Sequence, residues 1–409
     1  MVAWDVAVIG GGVAGSIVSA LLAQGGLRVI LLEKGTFPRE KVCGEFLSPD
    51  GVDLLQRLGV WPQLEHVSSV PIRTLTLSAR RRTIQCVLPR AGRSVSRWNL
   101  DHLLWEYAQA AGVEAWDRSP VTDVEGNFAQ GFSLGLQRPG HPVQRIHARV
   151  IMCAAGRQWG RRRPAADAHH TRRPQFVGFK AHFQGVELDQ RIELHTVSDA
   201  YCGVVALEDT VVNLCCLART DALRRAGGTL DRFYASMLMQ NPHLHARMRG
   251  AKRLGPRWTT VGFTYARRPM PVEDGFWRVG DSSGMIAPLT GDGMGMAVCT
   301  AELAAATALA AFRGDLVWER TTAEYARRWQ REFASRLRWG HRLETILLSP
   351  RLAILACRSL GLVPSLIDLV YRRTRRWSGP ELQGGVRQSF AIAFDSQSLP
   401  PAEGARNSG

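Results

Sequence analysis

The stretch KVCGEFLSP, residues 41–49, places a thiol and a carboxylate two positions apart, with Cys43 and Glu45 on either side of Gly44. Connecting loops more often contain Asp, Asn, Pro or Ser, whose properties stabilise turns. A thiol can donate a proton, and a carboxylate can accept one. Cys43 is therefore either a catalytic candidate or a small side chain tolerated in a crowded site. Glu45 is either a polar group of a substrate pocket or a helix cap.

A glycine-rich turn precedes this stretch in the chain. Val6–Ile9 is a continuous apolar run, which is typical of a strand covered on both faces. Gly10, Gly12 and Gly15 then form the pattern GxGxxG, and apolar residues at helical spacing continue to Leu22. This arrangement lets the backbone approach a pyrophosphate, which the free N–H groups of a helix N-terminus can bind. The spacing predicts a dinucleotide site.

An acidic residue ends the second strand of this unit. Val29–Leu32 is apolar, and Glu33 follows it, at the position where a carboxylate can accept hydrogen bonds from a ribose. The residues that we assign to the nucleotide in this unit are Gly10, Gly12, Val13, Ala14, Gly15, Glu33 and Lys34.

A second glycine-rich segment, GFWRVGDSSGMIAPLTGDGMG at residues 275–295, reads as a short strand, a Gly-Asp pair and a tight turn into an apolar helix. It resembles the flavin-binding segment of the FAD family that contains the aromatic hydroxylases, geranylgeranyl reductases and flavin-dependent halogenases. The resemblance implies that Asp281 holds the ribityl hydroxyls and that the helix N-terminus faces the flavin pyrimidine ring, where a reduced flavin is anionic. The flavin residues implied here are Gly280, Asp281, Pro288, Gly291, Gly293 and Met294.

Further segments resemble the same family. Arg97 in SRWNLDHLL matches an arginine that reaches the flavin phosphate or ribityl region, and Val121 matches a position whose backbone touches adenine. The resemblance also places Cys43 and Gly44 beside the isoalloxazine ring. It implies non-covalent FAD, because no Cys or His stands where the family forms a covalent link. NAD(P)H is expected as a transient electron donor, since no second GxGxxG unit is present, and the arginines at 157, 161, 162 and 163 are candidates to meet its phosphates.

The opening stretch resembles two branches of this family. Geranylgeranyl reductases carry Lys-x-Cys-Gly-Gly where this chain has KVCGE, and halogenases carry Gly-Glu followed by Ser or Thr and Pro where it has GEFLSP. The halogenase lysine that carries or polarises hypochlorous acid has no counterpart, because residues 42–179 contain no lysine, and the halogenase Trp-x-Trp-x-Ile-Pro segment is absent. Tyr201 and Asn213 keep only part of the reductase motifs. The catalytic candidates are Cys43, Glu45, His182 and Tyr201, and a structural role is the alternative for each.

These motifs predict an FAD-dependent oxidoreductase of secondary or lipid metabolism that acts on a bulky apolar substrate, free or carrier-bound. The leading hypothesis is an NAD(P)H-fuelled monooxygenase that hydroxylates or epoxidises its substrate. The alternative is a geranylgeranyl reductase-like enzyme that reduces C=C bonds. A flavin-dependent halogenase and a basic nucleic-acid-binding protein are disfavoured rivals.

The elements that must position these residues predict an α/β fold. We expect a Rossmann-like FAD-binding domain of the p-hydroxybenzoate hydroxylase type, an inserted β-sheet substrate domain and C-terminal helices. Alternating apolar and polar residues predict the strands of the insert. The expected boundaries are 1–70, 95–175 and 265–340 for the FAD-binding domain, 71–94 and 176–264 for the substrate domain, and 341–409 for a helical region and tail.

Composition limits the partners. The 409 residues are 45% apolar and 22% charged, which is ordinary for a globular protein. The 52 Lys+Arg against 36 Asp+Glu give a net charge of +16, which favours an acidic carrier or peripheral contact with an anionic membrane. No nucleic-acid-binding signature accompanies this charge. The eight cysteines form no CxxC pair or zinc spacing, so no metal is expected, and the lack of a signal peptide predicts a cytoplasmic, or membrane-associated, protein.

Overall fold

The computed structural model describes residues 3–64, 67–156, 175–208, 210–265, 269–273, 275–363 and 365–375. Within them the chain forms two mixed β-sheets with helices packed around them, so the predicted α/β class is confirmed. The strands are β1 Ala3–Ile9, β2 Val29–Leu32, β3 Phe46–Leu47, β4 Val70–Ala79, β5 Arg82–Ser94, β6 Glu114–Trp116, β7 Val121–Asn127, β8 Gly131–Leu136, β9 Gln144–Cys153, β10 Phe176–Gln184, β11 Arg191–Val197, β12 Ala200–Glu208, β13 Val211–Arg219, β14 Lys252–Arg253, β15 Thr259–Phe263, β16 Val272–Glu273 and β17 Phe276–Arg278. The helices are α1 Val13–Gln24, α2 Pro49–Arg57, α3 Trp61–Leu64, α4 Arg97–Ala110, α5 Thr220–Arg225, α6 Leu230–Gln240, α7 Pro242–Arg247, α8 Gly293–Phe312, α9 Trp318–Leu348, α10 Pro350–Leu362 and α11 Ser365–Thr374.

The first sheet has the strand order β16-β17-β9-β1-β2-β6, and the β7–β8 hairpin joins it through β9. Strand β1 lies parallel to both β2 and β9, and Val6, Ala7 and Val8 at its centre are fully buried. Because parallel strands end at the same edge, the turns that follow β1, β2, β9 and β17 lie together. This is the edge at which open α/β sheets bind ligands.

The second sheet has the order β14-β10-β13-β12-β11-β4-β5-β3, with β15 also paired to β10. Its strands β4, β5, β10 and β11 come from the segments in which alternating residues predicted strands. Where the FAD-binding and substrate domains divide stays a prediction.

The C-terminal helices differ in burial. Helix α8 is long and apolar enough to cross a membrane, but most of it is buried inside the protein. Helix α9 runs from Trp318 to Leu348, and α10 then turns away from it by 110°. Ala353 and Cys357 of α10 pack against Leu77 and Ala79 of β4.

The turn between β1 and α1 depends on a close contact. A Cβ atom added to Gly15 would lie 1.8 Å from the backbone oxygen of Gly10, so only glycine lets the helix approach the strand this closely. A Cβ atom added to Gly12 would meet nothing nearer than the Lys41 ammonium, at 3.7 Å. Packing therefore requires glycine at position 15 and leaves position 12 open.

We expect Gly15→Ala to destabilise the protein by about 3 kcal/mol, because a methyl group against a backbone oxygen forces the helix away from the strand. Gly12→Ala is the matched control and should leave the unfolding free energy within about 0.5 kcal/mol. Urea unfolding of both variants measures the difference. Equal stability of the two variants would contradict the packing argument.

Candidate functional site

A cavity of about 1360 Å³, including its open mouth, lies between the carboxyl edge of the first sheet and one face of the second. Gly12, Val13 and Ala14 line it at the start of α1, and Gly293 and Met294 line it at the start of α8. Two helices therefore direct free N–H groups into one space. Further wall residues predicted for the cofactor are Cys43, Gly44, Arg97, Gly280, Asp281, Pro288 and Gly291.

Two cations converge at the N-terminus of α1. The Cβ position of Gly12 lies 3.7 Å from the Lys41 Nζ and 4.0 Å from the Arg97 Nη2. Arg97 donates two hydrogen bonds to the buried Asp101 carboxylate, at 2.6 and 2.7 Å. Burial lowers the pKa of Lys41, and the charge of Arg97 lowers it further. An anion at this position would relieve that repulsion, so these residues fit the pyrophosphate of a dinucleotide such as FAD.

Sequence reasoning missed Lys41 and Asp101 as parts of this group. Lys41 is the first residue of KVCG and could have been recognised from the sequence. Asp101 lies four positions after Arg97 on α4, and this spacing brings side chains together on a helix, so it was a usable signal.

Glu33 ends β2 as predicted, but it does not line the cavity and its carboxylate already has partners. It accepts hydrogen bonds from the Gly11 N–H at 2.8 Å and the Gly35 N–H at 2.9 Å, and from Arg39 at 2.6 and 3.0 Å. Burial alone would raise its pKa, but Arg39 and these hydrogen bonds hold the pKa of Glu33 below its usual value. Glu33 therefore shapes the glycine turn directly.

Other residues predicted for the cofactor also lie outside the cavity wall. Lys34 is exposed, and Val121 is buried in the apolar cluster behind the first sheet with Phe132. Gly10 and Gly15 shape the turn rather than the wall. The arginines at 157, 161, 162 and 163 lie outside the described residues.

Glu45 is the most constrained of the catalytic candidates. It is fully buried, and its φ of 53° is a left-handed conformation that a residue with a Cβ rarely adopts. One carboxylate oxygen accepts hydrogen bonds from the Lys180 Nζ at 2.7 Å and from the Arg97 backbone N–H at 2.8 Å. The other lies 2.8 Å from the His182 Nε2. Neither Glu45 nor His182 lines the cavity, so both hold the wall in place.

Lys180 is the centre of this group, which we call the Glu45 clamp: Glu40, Glu45, Lys180 and His182. The Lys180 Nζ also lies 2.6 Å from a Glu40 oxygen. The ligand atoms of Glu40, Glu45 and His182 are close enough together to hold a metal ion. The lysine ammonium instead supplies the positive charge. Burial alone would raise the pKa of Glu45, but the His182 hydrogen bond and the Lys180 charge hold it below its usual value.

Cys43 and Tyr201 do line the cavity. The Cys43 sulfur accepts from the Glu45 N–H at 3.4 Å, and the Cys43 carbonyl accepts from the Asn213 amide at 3.0 Å. The Tyr201 hydroxyl donates to a Glu344 oxygen at 2.8 Å and accepts from the Leu289 N–H at 3.1 Å. Burial raises the pKa of Tyr201 well above its usual value, and the charge of Glu344 raises it further.

A Ser-His-Glu series also occurs, away from the cavity. The Ser78 Oγ lies 2.7 Å from the His195 Nδ1, and the His195 Nε2 lies 3.1 Å from Glu193. This order resembles a hydrolytic triad, but the Ser78 hydroxyl is fully buried and also accepts from the Asn241 amide at 2.9 Å. The series therefore stabilises the second sheet.

Comparisons with known proteins support the cofactor. Residues 3–204 match the family described as FAD binding domain. A 1H-pyrrole-2-carbonyl-[peptidyl-carrier protein] chlorinase of Pseudomonas fluorescens is 21% identical over 356 residues, which are 76% of this chain and 77% of that protein. A menaquinone reductase of Mycolicibacterium smegmatis is 25% identical over 372 residues, 85% of each chain. The structure of the flavin-dependent brominase Bmp2 superposes with a TM-score of 0.77 at 18% identity, over 96% of this chain and 99% of that one. The predicted FAD-binding fold is therefore confirmed.

We expect Asp281→Ala to weaken FAD binding about 10- to 100-fold, because it removes a charge-assisted hydrogen bond worth about 1.5–3 kcal/mol. Fluorescence titration of the apoprotein with FAD measures the effect. Asp315→Ala, at an exposed carboxylate on the turn after α8, is the control and should leave the affinity unchanged. An unchanged affinity in Asp281→Ala would refute its assignment to the ribityl hydroxyls.

We expect Glu45→Gln to lower the unfolding free energy by about 1–3 kcal/mol at pH 7, because it removes one of the two carboxylates that pair with the buried Lys180 and leaves Glu40 as the other. A depressed carboxyl pKa contributes stability above the unfolded pKa, which is near 4.5, and that contribution is lost as the pH falls below it. The cost should therefore shrink at pH 4. Urea unfolding at both pH values tests this, with the exposed Glu187→Gln as control. An equal loss of unfolding free energy at both pH values would show that Glu45 is not ionised in the folded protein.

Proposed function

We propose that this chain is an FAD-dependent oxidoreductase and, more specifically, an NAD(P)H-fuelled monooxygenase of a bulky, largely apolar substrate. The observation that carries the proposal is the cavity wall beyond the flavin residues. This part of the wall is almost wholly apolar, and its aliphatic and aromatic members include Ile192, Leu194, Leu217, Val261, Phe263, Met285 and Leu289.

The polar side chains in this part of the wall favour oxygen transfer over C=C reduction. Reduction of an isolated double bond needs a proton for the carbon opposite the hydride. Tyr201, the one hydroxyl among the described lining residues, is held by two hydrogen bonds and has a pKa raised well above its usual value. Burial also raises the pKa of the Cys216 thiol well above its usual value. Oxygen transfer to an electron-rich double bond or ring needs orientation and a dry pocket instead.

When bound, reduced FAD supplies the two electrons with which one oxygen atom is inserted and the other leaves as water. The chain contributes the site around that chemistry. Lys41 and Arg97 would hold the anionic pyrophosphate of the cofactor, the Glu45 clamp fixes the Cys43 loop in the cavity wall, and the apolar wall would orient the substrate and exclude water.

Halogenation is the second candidate, and similarity to the chlorinase and to the brominase fold favours it. It would require a lysine amine that faces the substrate. Lys180 is bound between Glu40 and Glu45, and Lys41 lies at the end of the cavity where α1 begins. Similarity to the menaquinone reductase favours the third reaction, C=C reduction. The leading proposal differs from reduction because it consumes oxygen, and from halogenation because it needs no halide.

We expect one NAD(P)H and one oxygen molecule to be consumed per product, with one atom of ¹⁸O from labelled oxygen in the product and no dependence on halide. Mass spectrometry of reactions run aerobically, anaerobically, and with or without chloride or bromide separates the three reactions. Product formed without oxygen would establish reduction, and a halogenated product would establish halogenation. Either result would overturn the proposal.

The variant Cys43→Ala provides an independent check. If the thiol only fills space beside the ring, the variant should keep most of its turnover and its ¹⁸O incorporation. A loss of about a hundredfold or more with unchanged FAD content would instead indicate proton transfer by the thiol, as a reductase requires.

A further inference from the structure

Helix α10 carries a row of exposed leucines. Leu352, Leu355 and Leu362 are 44%, 57% and 81% exposed. At 100° per residue these three positions fall on one side of the helix, opposite the buried Ala353 and Cys357. The outer face of α10 is therefore a solvent-exposed apolar stripe.

Arginines border this stripe. Arg351 and Arg358 are exposed on α10, and Arg80, Arg81 and Arg82 are exposed at the adjoining tip of the β4–β5 hairpin. Among the described residues, none of these five forms an ion pair. Moreover, residues 66–100 and 345–367 contain no Asp or Glu. Together with the leucine row, these arginines form what we call the α10 surface.

We infer that the α10 surface docks this protein onto an anionic lipid bilayer. Apolar residues flanked by unpaired arginines match the chemistry of an interface where acyl chains lie beneath negative headgroups. Helix α10 has 13 residues, fewer than the roughly 20 needed to span a bilayer, and its inner face is packed on the second sheet, so it lies along the membrane surface.

The α10 surface lies close to the cavity. The inner face of α10 packs into a cluster that includes Leu194 and Leu289, and both of these leucines also line the cavity. A single layer of side chains thus separates the docked helix from the apolar wall. The inference rests on the proposed function only in that the substrate is apolar, and it applies to any of the three flavin reactions.

Co-sedimentation of the full-length holoprotein with vesicles of phosphatidylcholine alone, or with 30% phosphatidylglycerol, tests the inference. We expect binding to the anionic vesicles that falls steeply as salt is raised. Each arginine near an anionic surface contributes about fivefold, so Arg351→Glu/Arg358→Glu should lower the partition coefficient about thirtyfold or more. Leu355→Ser/Leu362→Ser should lower it about tenfold.

Matched controls separate this surface from overall charge and hydrophobicity. Arg249→Glu/Arg257→Glu makes the same charge change at exposed positions elsewhere, and Met239→Ser/Leu254→Ser removes two other exposed apolar side chains. Both controls should bind within about twofold of the parent protein. All variants should keep the parent's thermal midpoint and FAD content.

The outcomes that overturn the inference are distinct. Loss of binding in the arginine control would indicate general charge attraction. Dependence on Arg351 and Arg358 without dependence on Leu355 and Leu362 would indicate an acidic protein partner, and failure of the parent protein to bind anionic vesicles would exclude a membrane. Oxygen-dependent turnover of a water-soluble apolar test compound, measured for every variant without vesicles or detergent, tests the proposed function separately from membrane binding.

Discussion

The buried carboxylate of Glu45 is the interaction on which the site depends. It joins three parts of the chain: the stretch KVCGEFLSP to which it belongs, the start of α4 through the Arg97 backbone N–H, and strand β10 through Lys180 and His182. A buried charge is costly unless it is paired and fully hydrogen-bonded, so the four groups must assemble together. The left-handed backbone of Glu45, a conformation suited to glycine, shows that the ion pair outweighs local strain.

A second buried carboxylate connects segments that lie far apart in the sequence. Asp292 lies in the glycine turn before α8, accepts a hydrogen bond from the Ser48 hydroxyl at 2.6 Å and pairs with Arg336 of α9. Ser48 also caps α2 by accepting from the Gly51 N–H. The stretch KVCGEFLSP is therefore held at Glu45 and again at Ser48. This double attachment explains why a connecting loop carries these residues: they fix it in the wall of the apolar cavity.

One end of the cavity is positively charged and the other is apolar. Lys41, Arg97 and the N-terminus of α1 gather positive potential at one end. At the other end the Tyr201 hydroxyl is hydrogen-bonded to Glu344, so few free polar groups face the cavity. The cavity can thus hold a dinucleotide and an apolar molecule together.

The sequence by itself determined the features that depend on neighbours along the chain. The spacing of Gly10, Gly12 and Gly15 predicted the first turn, and alternation of apolar residues predicted the second sheet, because backbone geometry imposes these periods locally. Only the tertiary structure decided the partners of Glu45 and Tyr201. Lys180 lies 135 positions from Glu45, and Glu344 lies 143 from Tyr201. Such pairs are set by strand register and by how sheets and helices pack, because a one-residue slip would turn each side chain to the opposite face.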